Sequence, residues 1–168
     1  TPDKQDIYVT VNITEGRKYT VTDVKLGGKL IVPEEELRKL ISVKTGDVFS
    51  RQEITDSSKR ISDRFGNDGY AFANVNAVPD INRDRGTVAF TFFIDPGQRV
   101  YVRRVSFGGN LATNDEVLRR EMRQLEGAWF STAKVQRSRI RLQRLGFFED
   151  VNVETPPVPG SPDQVDIN

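Results

Sequence analysis

The sequence predicts an α+β protein of two tandem units, each ordered β-α-α-β-β, with two helices laid on a three-stranded sheet. Three observations predict it. The first is an internal repeat: GRKYTVTDVKLGGKL (16–30) lies over GQRVYVRRVSFGGNL (97–111), a displacement of 81 residues. The same displacement carries Leu37 onto Leu118, Ile41 onto Met122, Gly46 onto Gly127, Phe49 onto Phe130 and Ile54 onto Val135. The second is the order of hydrophobic periods within each copy: alternation, two helical stretches, then alternation again. The third is composition. With 36% hydrophobic and 29% charged residues, and neither cysteine nor histidine, the chain suits small globular units that fold without disulfides or zinc.

Each element has its own signals. Tyr19 and Val21, then Val24 and Leu26, alternate as a strand with an irregularity between them, and Gly27-Gly28 breaks it. Helix one starts at Pro33 with acids behind it, and in the second copy Thr113 and Glu116 spell a capping box. Leu37, Leu40 and Ile41, or Leu118, Met122 and Leu125, form its apolar stripe, and Gly46 or Gly127 ends it. Helix two carries Ile54, Ser57, Ser58 and Ile61, matched by Val135, Ser138, Arg139 and Leu142; serines inside an apolar stripe predict close approach to a neighbour. Gly69 or Gly146 stops it, and a strand follows over 70–78 or 147–153. The last strand, 87–94, puts Val88, Phe90, Phe92 and Ile94 on one face, and its counterpart VDIN reads as cut short.

The repeat also sets boundaries. The units span 16–96 and 97–168, and IYVTVNITEG (7–16) lies over VAFTFFIDPG (88–97), so residues 1–15 read as the last strand of a preceding unit. The joint, DPGQ, is no flexible linker, which predicts limited hinge freedom.

Comparing the copies separates scaffold from surface. Phe130 shares its place with Phe49 and reads as core, whereas Trp129 replaces Val48 and reads equally as core or as an interface anchor. Arg119, Arg123 and Glu126 are spaced as one stripe of helix one, where the first copy has Arg38, Ser42 and Thr45. Lys134, Arg137, Arg141 and Arg144 form a basic stripe on helix two, where the first copy has Glu53, Asp56, Arg60 and Asp63. A solvated face is the bland reading of each stripe. The functional reading is that the second unit meets a partner the first does not, an anionic surface or an acidic protein patch in the case of the basic stripe.

Other classes are excluded or unsupported. A net charge of +1 gives no global field for nucleic acid, and no run of about 18 apolar residues spans a membrane. GGKL and GGNL lack the phosphate-loop pattern and read as tight turns. The helix connections TGDVFS and EGAWFS lack the GXXG cradle of an RNA-binding KH module. No pair of acids reads as catalytic, so no enzyme, cofactor or metal site is expected.

GGK or GGN after strand one, G-x-x-F between the helices and G-[YF] before strand two resemble the POTRA family, whose domains are three-stranded mixed sheets carrying two helices. VLRREMRQLEGAWFS, RLGFFEDV and VPGSPDQVD narrow the resemblance to outer-membrane β-barrel assembly factors, with 16–96 similar to the fourth module and 97–168 to the fifth. The resemblance implies a non-catalytic periplasmic scaffold, part of an outer-membrane protein, that meets unfolded β-barrel proteins and the membrane barrel of its own chain. It also implies docking of accessory lipoproteins, a BamD-like lipoprotein at Arg119, Arg123, Glu126 and Trp129. Clients would be captured by strand augmentation at the second strand: Tyr70, Phe72, Asn74 and Asn76, with Phe148, Asp150 and Asn152 as the weaker equivalent. Two-partner secretion transporters also carry such modules, and a generic interaction module is the remaining alternative.

Overall fold

The structure, a computed structural model, describes residues 9, 10, 12, 17–110 and 113–168. The expected closing strand at 1–15 therefore falls outside the described residues, save for those three positions. The first module runs β1 (Thr20–Gly28), α1 (Glu34–Leu40), α2 (Arg51–Asn67), β2 (Asn74–Asn82) and β3 (Thr87–Asp95). The second runs β4 (Tyr101–Val105), α3 (Asp115–Glu121), α4 (Thr132–Arg144), β5 (Pro157–Val158) and β6 (Ser161–Ile167). Each is the predicted α+β unit. The last strand is central, parallel to the first and antiparallel to the second, giving mixed sheets ordered β1-β3-β2 and β4-β6-β5.

Each module has its own core. Val88, Phe90, Phe92 and Ile94 line the helix-facing side of β3, all buried, against Leu37, Ile61 and Phe65. Val102, Leu118, Phe130, Leu142 and Val165 do the same in the second module. Full burial of one such side chain contributes about 1.5–3 kcal/mol. The irregularity in the first strand is a bulge: the register shifts between Val21 and Asp23, and again between Val102 and Arg104 in β4.

Helix one is shorter than its apolar spacing suggests. It ends at Leu40 or Glu121, well before Gly46 or Gly127. The cause is the buried serine of helix two. Ser57 Oγ accepts the Ser42 N–H at 3.2 Å and Ser138 Oγ accepts the Arg123 N–H at 2.8 Å, so that amide leaves the helical ladder. Leu125 consequently falls beyond the helix and is exposed. The capping box does not form either. Asn114 is the N-cap of α3, without a side-chain cap bond, while Asn110 Nδ2 donates to the Thr113 carbonyl and to Asp115.

The G-x-x-F stretch has a role that periodicity hides. It runs antiparallel along the outer edge of the first strand. Gly46 N donates to Val21 O at 2.7 Å and Phe49 N to Tyr19 O at 2.8 Å; Gly127 N donates to Val102 O and Phe130 N to Val100 O at 2.7 and 3.1 Å. It thus covers one sheet edge with main-chain bonds, and among the described residues the second strand is the uncovered edge.

Second-strand boundaries also differ from expectation. Tyr70 and Phe72 sit in a turn before β2, and 147–153 forms no strand. There Arg139 Nε donates to Val151 O at 2.9 Å, and pairing with the last strand runs up to the final residue of the sequence, where Glu154 and Asn168 exchange main-chain bonds. β6 starts at Ser161, earlier than the VDIN expected, and runs to Ile167.

The two modules touch closely. A Cβ placed on Gly66 in α2 would lie 2.1 Å from Thr132 Oγ1 at the start of α4. Asn67 Oδ1 accepts the Ala133 N–H at 2.8 Å, so the first module caps a helix whose own N-cap, Ser131, makes no side-chain cap bond. Gly69 O accepts Val100 N, and Arg99 Nε donates to Asp68 O.

Candidate functional site

The three residues assigned to one helical stripe do not share a helix. Arg119 lies in α3, while Arg123 and Glu126 follow its end at Glu121. The structure nevertheless brings two of them together. Glu126 Oε1 accepts the Val105 N–H at 2.8 Å and Arg119 Nη1 at 3.2 Å, and Arg119 Nη2 donates to Val105 O at 3.0 Å. An arginine and a glutamate thus clip both backbone groups of the last β4 residue. Arg119 also lies over the Phe107 ring, 5.5 Å from its centroid. Both charged side chains stay about half exposed, at 48% and 45%, so the clip faces solvent. Arg123 is exposed and its Nη1 reaches the Arg120 and Met122 carbonyls.

The clip belongs to the second module alone. Thr45 stands in the place of Glu126, Arg38 pairs with Glu34 instead, and the Val24 N–H is taken by Asp23 Oδ1. In the second module the Val105 N–H, with Arg119 second, holds the Glu126 carboxyl below the usual carboxylate range. A depressed carboxyl stabilises the fold above its unfolded pKa, and that contribution is lost as pH falls through the folded value. The Val105 amide proton resonance is therefore expected to move with a midpoint below that of an ordinary glutamate. A midpoint at the ordinary value would mean that the carboxylate does not hold this amide.

Trp129 is neither core nor free. It is half exposed at 50%, with its ring edge-on to Tyr101 and the Arg99 guanidinium 4.3 Å from its centroid. Phe130 is buried, as expected from the repeat, whereas Phe49 stacks on Phe90 and stays partly exposed. Sequence reasoning missed three residues that support this region. Gln124, fully buried, donates to Trp129 O and accepts Ser131 N, holding the loop that presents Trp129; its counterpart is Val43, and that polar-for-apolar exchange was the available signal. Arg99 and Asn67 carried no signal, because their roles depend on the neighbouring module.

The basic stripe lies on α4 as predicted, with Lys134, Arg137, Arg141 and Arg144 all exposed. Arg141 is paired with Glu121 at 2.6 Å; the other three have no acidic partner among the described residues.

The uncovered edge is β2. Asn74 and Asn76 lie on its exposed face, and Val75 and Ala77 pack toward the helices. Between this edge and α2 runs an apolar groove of about 670 Å³, lined by Phe49, Ile54, Val75, Ile81, Val88 and Phe90. Phe148 is half-buried against the second core, and Asp150 and Asn152 are exposed outside any strand. In the second module the strand beside β6 is β5, two residues among those described, which opens on a proline.

The sequence model of the POTRA family, described as "Surface antigen variable number repeat", matches residues 19–97 and 100–168. The chain is 40% identical over 166 residues to the outer membrane protein assembly factor BamA of Neisseria meningitidis serogroup B, covering 98% of this chain and 21% of that protein. It is 30% identical over 151 residues to BamA of Buchnera aphidicola, covering 90% of this chain and 24% of that one. The chain therefore spans about a fifth to a quarter of the curated relatives it matches. Among solved structures it is similar to Haemophilus influenzae BamA POTRA3-5, with a TM-score of 0.83 and 39% identity over 89% of this chain and 59% of that one. It is also similar to Haemophilus ducreyi BamA lacking POTRA domains 1-3, with a TM-score of 0.71 and 39% identity over 89% of this chain and 28% of that one.

Proposed function

Because the chain belongs to the POTRA family, as two modules in tandem, we propose that it is a non-catalytic periplasmic scaffold from a BamA-like outer-membrane assembly factor. Residues 16–96 and 97–168 correspond to its fourth and fifth modules. The second module docks a BamD-like lipoprotein through Arg119, Arg123, Glu126 and Trp129. The observation that carries this reading is the clip around Val105, a half-exposed ion pair that the first module lacks. Fixed, partly desolvated charges beside an aromatic ring supply the anchors that a specific protein interface uses. Calorimetric titration of the chain with the purified lipoprotein is the test. Saturable binding of one lipoprotein per chain supports docking; no heat and no co-elution removes it.

A second reading rests on a separate observation, the open β2 edge beside its apolar groove. An extended client strand can add there through main-chain bonds, with alternate apolar side chains entering the groove. Pro79 limits it. Proline tolerates a strand only where its nitrogen faces away from the ladder, so the alternation turns the amides of Ala77 and Ile81 outward with a missing donor between them. Addition of a peptide with alternating apolar residues is expected to slow hydrogen exchange at Ala77 and Ile81. Slowing elsewhere but not at these amides would rule out this edge.

A further inference from the structure

We propose that the exposed face of α4 is a membrane-contact surface, seating the second module on an anionic phospholipid leaflet. α4 reads TAKVQRSRIRLQR, five cations without one acid, whereas α2 carries Glu53, Asp56 and Asp63 among its cations. Helix stability does not account for the pattern. Arg141 and Arg144 suit the negative end of the helix dipole, but Lys134 lies in the first turn, where the dipole disfavours a cation and where α4 has no acid. Nor does internal pairing account for it. Only Arg141 meets a carboxylate, that of Glu121, and Lys134, Arg137 and Arg144 have no acidic partner among the described residues.

The shape of this face selects the occupant. From Lys134 to Arg144 the cations follow one line of the helix, about 15 Å long. None of the grooves seen among the described residues is lined by Lys134, Arg137, Arg141 or Arg144, so they offer an acidic peptide no cleft along the stripe. A planar array of phosphates can meet all the cations at once. Ile140, 47% exposed, borders the stripe, one turn from Arg137 and Arg144 on one side and from Gln136 and Gln143 on the other. An exposed apolar side chain at the border of a cationic stripe suits a headgroup layer above acyl chains and gains little from an acidic protein surface. This surface stands apart from the Val105 clip, and its failure would leave lipoprotein docking untouched.

Co-sedimentation of the 168-residue chain with vesicles is the experiment. Vesicles of phosphatidylglycerol in phosphatidylethanolamine are expected to bind the chain, vesicles of phosphatidylcholine alone are not, and binding should fall with added salt. Each cation at an anionic surface is worth roughly a fivefold change in partitioning, so Lys134→Glu, Arg137→Glu and Arg144→Glu together should weaken binding by at least about tenfold. The corresponding glutamine triple gives a smaller loss, and circular dichroism confirms that both variants are folded. Lys29→Glu, Lys39→Glu and Lys59→Glu together make the same change in net charge on the first module and should leave most of the binding. Equal losses in the two reversal triples would mean net charge alone and would overturn the proposal. So would binding that ignores lipid charge, or no binding at all. Intact vesicle binding with lost lipoprotein binding in the α4 triple would reassign the face to an acidic protein.

Discussion

Gly28→Ala is expected to destabilise the first module by about 3 kcal/mol or more, while Gly46→Ala, in the same module, costs about 1 kcal/mol. Both glycines have positive φ, +90° and +97°, so both replacements carry backbone strain. Of the two, Gly28 is also crowded. Its added Cβ would lie 2.2 Å from the Ile94 carbonyl oxygen and 2.9 Å from the Ile94 nitrogen, against nothing within 4 Å at Gly46. The obstacle is backbone, which cannot rotate aside. Relief requires the ends of β1 and β3 to part, and the bond from Lys29 N to Ile94 O would go with them. Urea unfolding can separate the modules, because the only tryptophan is in the second. Gly28→Ala should shift part of the circular dichroism transition to lower urea and leave the tryptophan fluorescence midpoint nearly in place. Equal costs at the two glycines would refute the close-approach account.

Glu126→Lys is expected to weaken lipoprotein binding by at least about tenfold, as the loss of one interface anchor does. This substitution also disturbs the fold. It places a cation beside Arg119 and leaves the Val105 N–H without its acceptor, at a cost of about 1–2 kcal/mol. A binding loss in this variant alone is therefore ambiguous. Glu126→Gln resolves it, because the amide oxygen can still accept from Val105 N while the negative charge is gone. If the clip is an electrostatic docking site, the glutamine variant unfolds like the parent and still binds several-fold more weakly. If it only braces β4, the glutamine variant binds like the parent, and the lysine variant loses binding in proportion to its loss of fold.

Much of the fold was legible because the chain says it twice. Val88, Phe90, Phe92 and Ile94 alternate as a buried strand must, and the bulge in β1 showed as a break in alternation after Val21. The basic stripe on α4 was legible because helix two is long and regular in both copies. Helix one misled because its apolar spacing continues to Met122 and Leu125, past the point where the chain leaves the helix. No local propensity announces that exit. It is set by a hydroxyl on another helix, Ser138, accepting the Arg123 amide.

By itself, then, the sequence determined the two-module plan, the order of elements, the core faces and the contrast between the modules' surfaces. Each of these is written in periodicity or in the difference between aligned copies. Only the tertiary structure decided that Gly46-to-Phe49 and Gly127-to-Phe130 cover the first strand's edge, that Glu126 and Arg119 close on Val105, and that Trp129 lies under Arg99. These are contacts between groups distant along the chain or on different modules. Their partners are chosen by the packing of whole elements, and no local pattern of residue types encodes that choice.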